Sequence, residues 1–489
     1  MFKLCIPSTL IYSVNNILLS IHNSVPCMWL QMDQCLKRTL FFAATWRILL
    51  TFFQTSVNSL FEDFDSSTSI NTDASYSHNG SRNYLLDTSA TSNWLSIVFN
   101  GLNKWDSVYI VYIAQYGYVY EQMMAFFPAF PFTISVLSYY STAGSSAIQI
   151  FSFILNFLFF LLALYYLYKL TWSLSNCNPP FTLLTCVLFV LNPATIFMMA
   201  SYTEAQFVFL QFGMMFYLET KQFNMAAVFI AGTMVTRSNG ILNIVFLCYF
   251  MCKNIVSQLK IELDCKKMTT HANIFNLLKL LQKTKTELFH LLVCITISIS
   301  PFVIHQTYVY KLYCGKESTS PDHWCRWKIP ISYSYIQRHY WNVGLFRYYE
   351  FKQIPNFILA APTVCIVFKA GLHFYNTVDK SSIKAAFGFI KPVSENNKKR
   401  SRFIAHEDLL VYLVHALFIT LTGLVAFHVQ ILTRMICSST PVFYWSCAAI
   451  LLDEKRAGTS NRMFTCLCMY FMCYVLVGTL LHTNFYPWT

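Results

Sequence analysis

The chain has 489 residues, of which 55% are hydrophobic, 17% aromatic and only 12% charged, against roughly 25% charged in an ordinary soluble domain. With a mean hydropathy of +0.45, this excludes a disordered chain, a collagen and a disulfide-stapled miniprotein, and it argues against a soluble enzyme. The formal net charge of +13 does not point to nucleic acid, because the basic residues stand in short blocks between apolar runs. Only helices satisfy the backbone in runs of that kind. The expected fold class is an all-α polytopic membrane protein.

In chain order, residues 1–35 read as a poorly specified extension. The run 10–30 is interrupted by Asn15, Asn16, His22 and Asn23, unlike the clean apolar core of a signal peptide. Residues 36–489 read as a single multispanning domain. The first span is predicted at 38–54, with Arg47 inside it. A stretch rich in Ser, Thr, Asn and Asp follows at 58–93 and holds the N-x-S/T sequon Asn79-Gly80-Ser81. Residues 94–120 turn aromatic and amphipathic, a pattern that suits a membrane interface. Further apolar runs at 126–142, 148–170, 181–199, 203–219, 223–251, 288–309, 356–375, 408–430, 440–452 and 463–482 bring the expected number of spans to about 11.

Charge sets the expected sides. Residues 57–125 carry two basic and seven acidic groups, whereas 253–285 and 376–405 each carry seven basic and two acidic ones. Basic loops stay cytosolic. The loops at about 57–125 and 310–355 are therefore expected in the lumen, with the N-terminus cytosolic and the C-terminus luminal. By the same span count, Glu204 falls near a cytosolic end. The 17 cysteines show no CxxC pair and no zinc spacing, so no metal site is expected. Cys314 and Cys325 share one polar loop and are the disulfide candidates if that loop is luminal.

Several soluble chemistries are missing. No GxxxxGK[ST] and no GxSxG occurs, and His406-Glu407 is followed at position 410 by Leu rather than the His of HExxH. The informative segments lie elsewhere. Lys104-Trp105-Asp106-Ser107 precedes Glu121 and the run Phe126-Phe127-Pro128-Ala129-Phe130-Pro131. A carboxylate held under an aromatic ceiling becomes a candidate general base; the bland alternative is an interfacial Asp capping the next helix. Glu204 and Arg237 sit within or beside apolar runs, where charge is costly and usually paired. They read either as a structural ion pair or as a site in which Arg holds a lipid phosphate. The loop 324–357 contains Gln337, Trp341, Asn342, Arg347 and Tyr348, which suit a sugar face and an anionic headgroup, or an aromatic belt. His428, Gln430 and Arg434 form a last cluster, which reads alternatively as a helix cap with a snorkelling Arg.

In this order the segments resemble the family of GPI mannosyltransferase II. The match is carried by "KWD" at 104–106, "AFFPAFP" at 125–131, "NPATIF…YTEAQF" at 192–207, "TRSNG" at 236–240, "YSYIQRHYWNVGLFRYYEFKQIPNF" at 333–357, "HVQILTR…SSTP…YW" at 428–445 and "NFYPW" at 484–488. It covers most of the chain from about Trp94 onward. The resemblance implies a multi-pass glycosyltransferase of the GT-C type in the endoplasmic reticulum membrane, with its active site facing the lumen. The implied donor is dolichyl-phosphate mannose. The implied acceptor is mannosyl-glucosaminyl-phosphatidylinositol, to which a second mannose would be added in α1,6 linkage with inversion.

Both substrates are lipids, and no cofactor or nucleic acid is expected; a small accessory membrane subunit stays open. By this analogy Asp106 is the base, Glu121 a second candidate carboxylate, and Arg237, Arg347 and Arg434 candidates for the dolichyl phosphate. Trp105, Gln337, Trp341, Asn342, Tyr348, His428 and Gln430 are candidate substrate-binding residues. Many GT-C enzymes carry a DxD-like pair in the first luminal loop. Here position 104 is Lys, which leaves Asp106 alone and argues against a metal-bridged nucleotide sugar. Two non-enzymatic readings stand beside this one: a lipid transporter or scramblase, which should show an internal repeat that the chain lacks, and a scaffold subunit.

Overall fold

The structure is a computed structural model that describes residues 28–64, 93–141, 147–267, 274–314, 323–378, 409–457 and 462–488. The Asn79 sequon, most of the extension 1–35 and most of the basic loop 376–405 lie outside the described residues. Within them the chain forms sixteen α-helices and no strand.

In chain order these are α1 (Met28–Leu60), α2 (Asn93–Asn100), α3 (Asp106–Tyr116), α4 (Ala129–Tyr139), α5 (Ala147–Leu174), α6 (Pro179–Val190), α7 (Glu204–Glu219) and α8 (Phe223–Thr236). There follow α9 (Asn243–Lys267), α10 (Ile274–Tyr313), α11 (Ser332–Trp341), α12 (Ile354–Thr377), α13 (Leu410–Val425), α14 (Leu432–Ser439), α15 (Val442–Ala457) and α16 (Arg462–Thr483).

Among the described residues six helices are long and apolar enough to cross a bilayer: Gln34–Leu60, Ala147–Leu174, Ser238–Lys260, Leu281–Tyr313, Phe351–Asn376 and Arg462–Thr483. A seventh arises if Val429–Ser439 and Val442–Asp453, bent by 79°, count as one broken span. The bend falls at Thr440-Pro441, where proline cannot continue the hydrogen-bond ladder. Four further apolar helices are shorter: α4, α6, α8 and α13.

The six or seven candidate spans among the described residues fall short of the expected 11, because 181–199, 203–219 and 408–430 fold into helices of 12, 16 and 16 residues, and two further runs change. The run 126–142 folds as the 11-residue α4, about 16 Å long and half the hydrocarbon thickness, and it packs against α3 and α5. The run 223–251 is not one helix. It stops at Arg237, whose backbone is extended at φ −151° and ψ 150°, and restarts through a 3-10 turn at Ser238–Leu242. Gly240 makes that restart possible, because a Cβ there would collide with the Thr233 carbonyl.

The core is built where α5, α6, α7 and α8 pack together, with α15 against α6. Phe189 is its hub, stacked on Phe160 at 5.1 Å and edge-on to Phe212 and Tyr444 at 5.7 and 5.4 Å. Two side-chain pairings inside it tie elements together, since a buried polar group is stabilised by a partner. Gln211 and Asn243 exchange two amide hydrogen bonds at 3.0 and 2.7 Å, which tie α7 to α9. The Trp445 indole donates to Thr171 Oγ1 at 2.8 Å.

The bundle has two distinguishable ends. Helices α7 and α8 form a hairpin closed by Thr220-Lys221-Gln222. At that closed end the Tyr412 hydroxyl donates to Glu219 at 2.6 Å. The open end collects Glu204, Arg237, the start of α3 and the C-terminal tail. Glu204 therefore shares an end with Asp106, contrary to the expected cytosolic placement. The span count between them does not hold, because two of the three runs it counts, 126–142 and 181–199, form helices of only 11 and 12 residues.

Candidate active site

Four charged side chains meet at the open end of the bundle, and three of them, Asp106, Glu204 and Arg237, stand at helix ends. Asp106 is the first residue of α3. Trp105 before it has φ 57° and ψ −125°, a left-handed conformation rare for a bulky residue, and it turns the chain sharply into the helix. Its indole packs edge-on to Phe485 with centroids 5.8 Å apart. Lys104 reaches Asp63 with Nζ–Oδ2 at 2.6 Å and lies 4.5 Å from the centre of the Phe485 ring. The Phe64 N–H donates to the Asn484 carbonyl at 2.9 Å. The C-terminal aromatic tail thus clamps the turn that presents Asp106.

Glu204 opens α7 and Arg237 ends α8. The hairpin brings its two open ends together, and the Arg237 guanidinium pairs with Glu204 Oε1. Arg434, on α14, supplies the second guanidinium. Its Nη2 donates to Asp106 Oδ2 at 2.8 Å and its Nε stands 3.8 Å from Glu204 Oε1. It also lies 5.2 Å and 5.6 Å from the ring centres of Phe197 and Tyr202, within cation–π range.

Tyr202 fixes the Asp106 backbone. Its hydroxyl donates to the Lys104 carbonyl at 3.3 Å and accepts the Asp106 N–H at 3.2 Å. Burial first, and the Asp106 carboxylate next, push the Tyr202 phenol well above its ordinary value, so it stays protonated as a donor. The two carboxylates differ in access: the Asp106 side chain is 37% exposed and the Glu204 side chain 2%. Asp106 Oδ2 is held by Arg434, and Oδ1 takes no hydrogen bond from the described residues. The arrangement offers one open carboxylate oxygen beside two guanidiniums, and those are the parts of a proton acceptor next to an anion site.

A second cluster lies on the segment leading into α14. Tyr348 stacks on His428 with centroids 4.7 Å apart, donates to Gln430 Oε1 at 3.1 Å and accepts from Asn356 Nδ2 at 2.8 Å. Burial pulls the His428 imidazole below its ordinary value, opposed by a hydrogen bond with the Trp341 backbone. Helix α11 reaches toward the first cluster through Tyr333, whose hydroxyl oxygen accepts from Ser238 Oγ at 2.8 Å. Asn239 Nδ2 donates to Ser439 Oγ at 2.9 Å and joins the Arg237 turn to the end of α14.

The other candidates lie elsewhere. Glu121 Oε1 bonds His323 Nε2 at 3.0 Å and accepts from Trp324 Nε1 at 2.8 Å, and its Oε2 accepts from the Tyr340 hydroxyl at 3.0 Å. This clasp sits beside the Cys314–Cys325 disulfide, whose Cα atoms are 5.5 Å apart. The Gln337 carbonyl closes α11 by accepting the Asn342 and Val343 N–H groups, and Trp341 packs edge-on to Phe126 at 6.4 Å. Arg347 is exposed and donates to Asn342 Oδ1 at 2.9 Å.

The structure therefore gathers Trp105, Asp106, Arg237 and Arg434 with Glu204, groups Tyr348, His428 and Gln430 nearby in the chain, and sets Glu121 and Arg347 apart. Sequence reasoning missed Lys104, Tyr202 and the tail as builders of the turn. The signal for the tail was its aromatic ending.

Comparisons with known proteins agree in direction. The profile of the family described as "Mannosyltransferase (PIG-V)" matches residues 36–489. A protein of Cricetulus griseus named "GPI alpha-1,6-mannosyltransferase 2" is 31% identical over 94% of this chain and 100% of its own length. The Homo sapiens protein of the same name is 31% identical over the same shares. A Schizosaccharomyces pombe protein named "GPI mannosyltransferase 2" is 28% identical over 81% of this chain and 75% of its own. No solved structure matches the chain.

Proposed function

The chain belongs to the PIG-V mannosyltransferase family, and from that premise we propose that it adds the second mannose to the GPI-anchor precursor. It is a multi-pass membrane glycosyltransferase of GPI-anchor assembly. In the finer reading its donor is dolichyl-phosphate mannose, its acceptor is the one-mannose GPI lipid, and the new bond is α1,6. The site faces the lumen of the endoplasmic reticulum. The names of the hamster and human relatives support the linkage. The exposed apolar helices support lipid substrates.

The observation that carries the mechanism is the Asp106 carboxylate, held at one oxygen by Arg434 and open at the other. The acceptor hydroxyl gives its proton to Oδ1 as its oxygen attacks the mannose anomeric carbon. The bond from that carbon to the phosphate oxygen breaks on the opposite face, and its electron pair leaves with dolichyl phosphate. A β-linked donor thereby yields an α-linked product. Arg434 and Arg237 hold the phosphate, where guanidinium geometry suits a tetrahedral anion. Negative charge leaves Asp106 as it grows on the phosphate, so the site stays balanced through the step.

The test uses microsomes from cells lacking their own second GPI mannosyltransferase, supplied with labelled dolichyl-phosphate mannose and the one-mannose GPI lipid. The wild-type chain should form the two-mannose lipid with the label in α1,6 linkage. No product, or product of another linkage, would overturn the reading.

A further inference from the structure

Glu204 belongs to none of the roles just assigned, yet it is the most buried charge at the site, with a side chain 2% exposed. It touches both guanidiniums: Arg237 directly, and Arg434 Nε at 3.8 Å. These three side chains come from three different segments, the start of α7, the end of α8 and α14. A carboxylate so placed could serve only to hold the α7–α8 hairpin closed, and pairing with Arg237 alone would do that. Contact with Arg434 does not follow from such a role.

Arg434 is the group that needs an external anchor. It sits between Asp106 and Glu204, bonded to the first by Nη2 and facing the second with Nε. In the proposed reaction Asp106 takes a proton and its pull on Arg434 weakens. A guanidinium held by Asp106 alone would then be free to turn. Glu204 is shielded from solvent, stands between two guanidiniums and has no role as proton acceptor. It keeps Nε in place and leaves the rest of the fork aimed at the leaving phosphate.

We propose that Glu204 is a positioning residue that fixes Arg237 and Arg434 as one phosphate-binding pair through the transfer step. This rests on the mannosyltransferase reading above. It names the carboxylate on which the two arginines depend, a group that touches no reacting atom.

The test is steady-state transfer by purified full-length protein in lipid nanodiscs, with donor and acceptor varied separately and dolichyl phosphate added as product inhibitor. Glu204→Gln should lower kcat on the order of 100-fold, the scale of a misplaced catalytic group. It should weaken dolichyl phosphate inhibition by a similar factor and move the acceptor KM less than about 3-fold. Glu204→Asp should recover part of both losses. The double variant Glu204→Gln with Arg237→Gln removes both charges of the buried pair, and it should fold yet remain inactive. Return of wild-type transfer in that double variant would mean a purely structural pair and overturn the inference. So would a Glu204→Gln protein with unchanged kcat and unchanged inhibition. An inactive wild type would instead overturn the mannosyltransferase reading on which the inference stands.

Discussion

Asp106 and Glu121 lie fifteen residues apart in one aromatic, acidic stretch, and their surroundings make them different groups. Glu121 spends both oxygens on His323, Trp324 and Tyr340, and all three partners belong to the segment 323–341. Asp106 has one oxygen on Arg434 and the other open. A carboxylate whose lone pairs are filled by its own protein is a clasp; one with a free oxygen beside a cation can accept a proton. Sequence reasoning named both as candidates because both show an acid beside aromatic rings. Only the hydrogen-bond inventory separates them.

The comparison breaks most severely at Arg434. Arg434→Gln removes the cation that orients Asp106 and faces the phosphate, and it should lower kcat on the order of 100- to 1000-fold, as for loss of an oxyanion donor. Radiolabel transfer at matched protein level checks it. A loss under about 5-fold would place the anion site elsewhere, with Arg347 the next group to examine.

The clasp side sharpens through the disulfide. Cys314→Ser with Cys325→Ser opens a link spanning 11 residues and should destabilise that loop by about 3 kcal/mol in the chain-entropy picture. Hydrogen exchange at 323–341 should rise while transfer changes only a few-fold. Abolished transfer in a folded variant would show that the clasp shapes the active site.

The smallest effect is on pH. The folded-state value of His428 lies below its ordinary 6.5, so the native state favours the neutral ring. Its contribution to stability is present above about pH 6.5 and is lost as pH falls below it. His428→Phe keeps the stack on Tyr348 and removes the titration. Between pH 7.5 and 5 the wild type should lose more thermal stability than the variant; equal losses would contradict the burial argument.

Much of this was legible in the sequence, for reasons tied to particular residues. Long apolar runs such as 148–170 and 463–482 return as α5 and α16, since no other structure satisfies their backbones. The break at Arg237 was not legible from hydropathy, because 223–251 is apolar on both sides of it. Its signal was Gly240 in Thr-Arg-Ser-Asn-Gly, which reads as a turn once the crowding against Thr233 is seen. Glu204 was assigned to the other end by a count that treated 181–199 and 126–142 as full spans. Pro128 and Pro131 bound the start of that run, and 11 helical residues cannot cross. The pairing of Asp106 with Arg434 joins positions 328 residues apart, and no local pattern encodes such a contact.

One side-by-side assay tests the central claim most directly: initial transfer rates of Asp106→Asn and Glu121→Gln against wild type, at equal protein level in the same microsomes. Asp106→Asn should fall on the order of 1000-fold, within the span of a lost general base. Glu121→Gln should stay within a few-fold while its protein loses about 1–2 kcal/mol of stability from weakened hydrogen bonds. The reverse pattern, with Glu121→Gln inactive and Asp106→Asn active, would contradict the account and move the chemistry to the clasp.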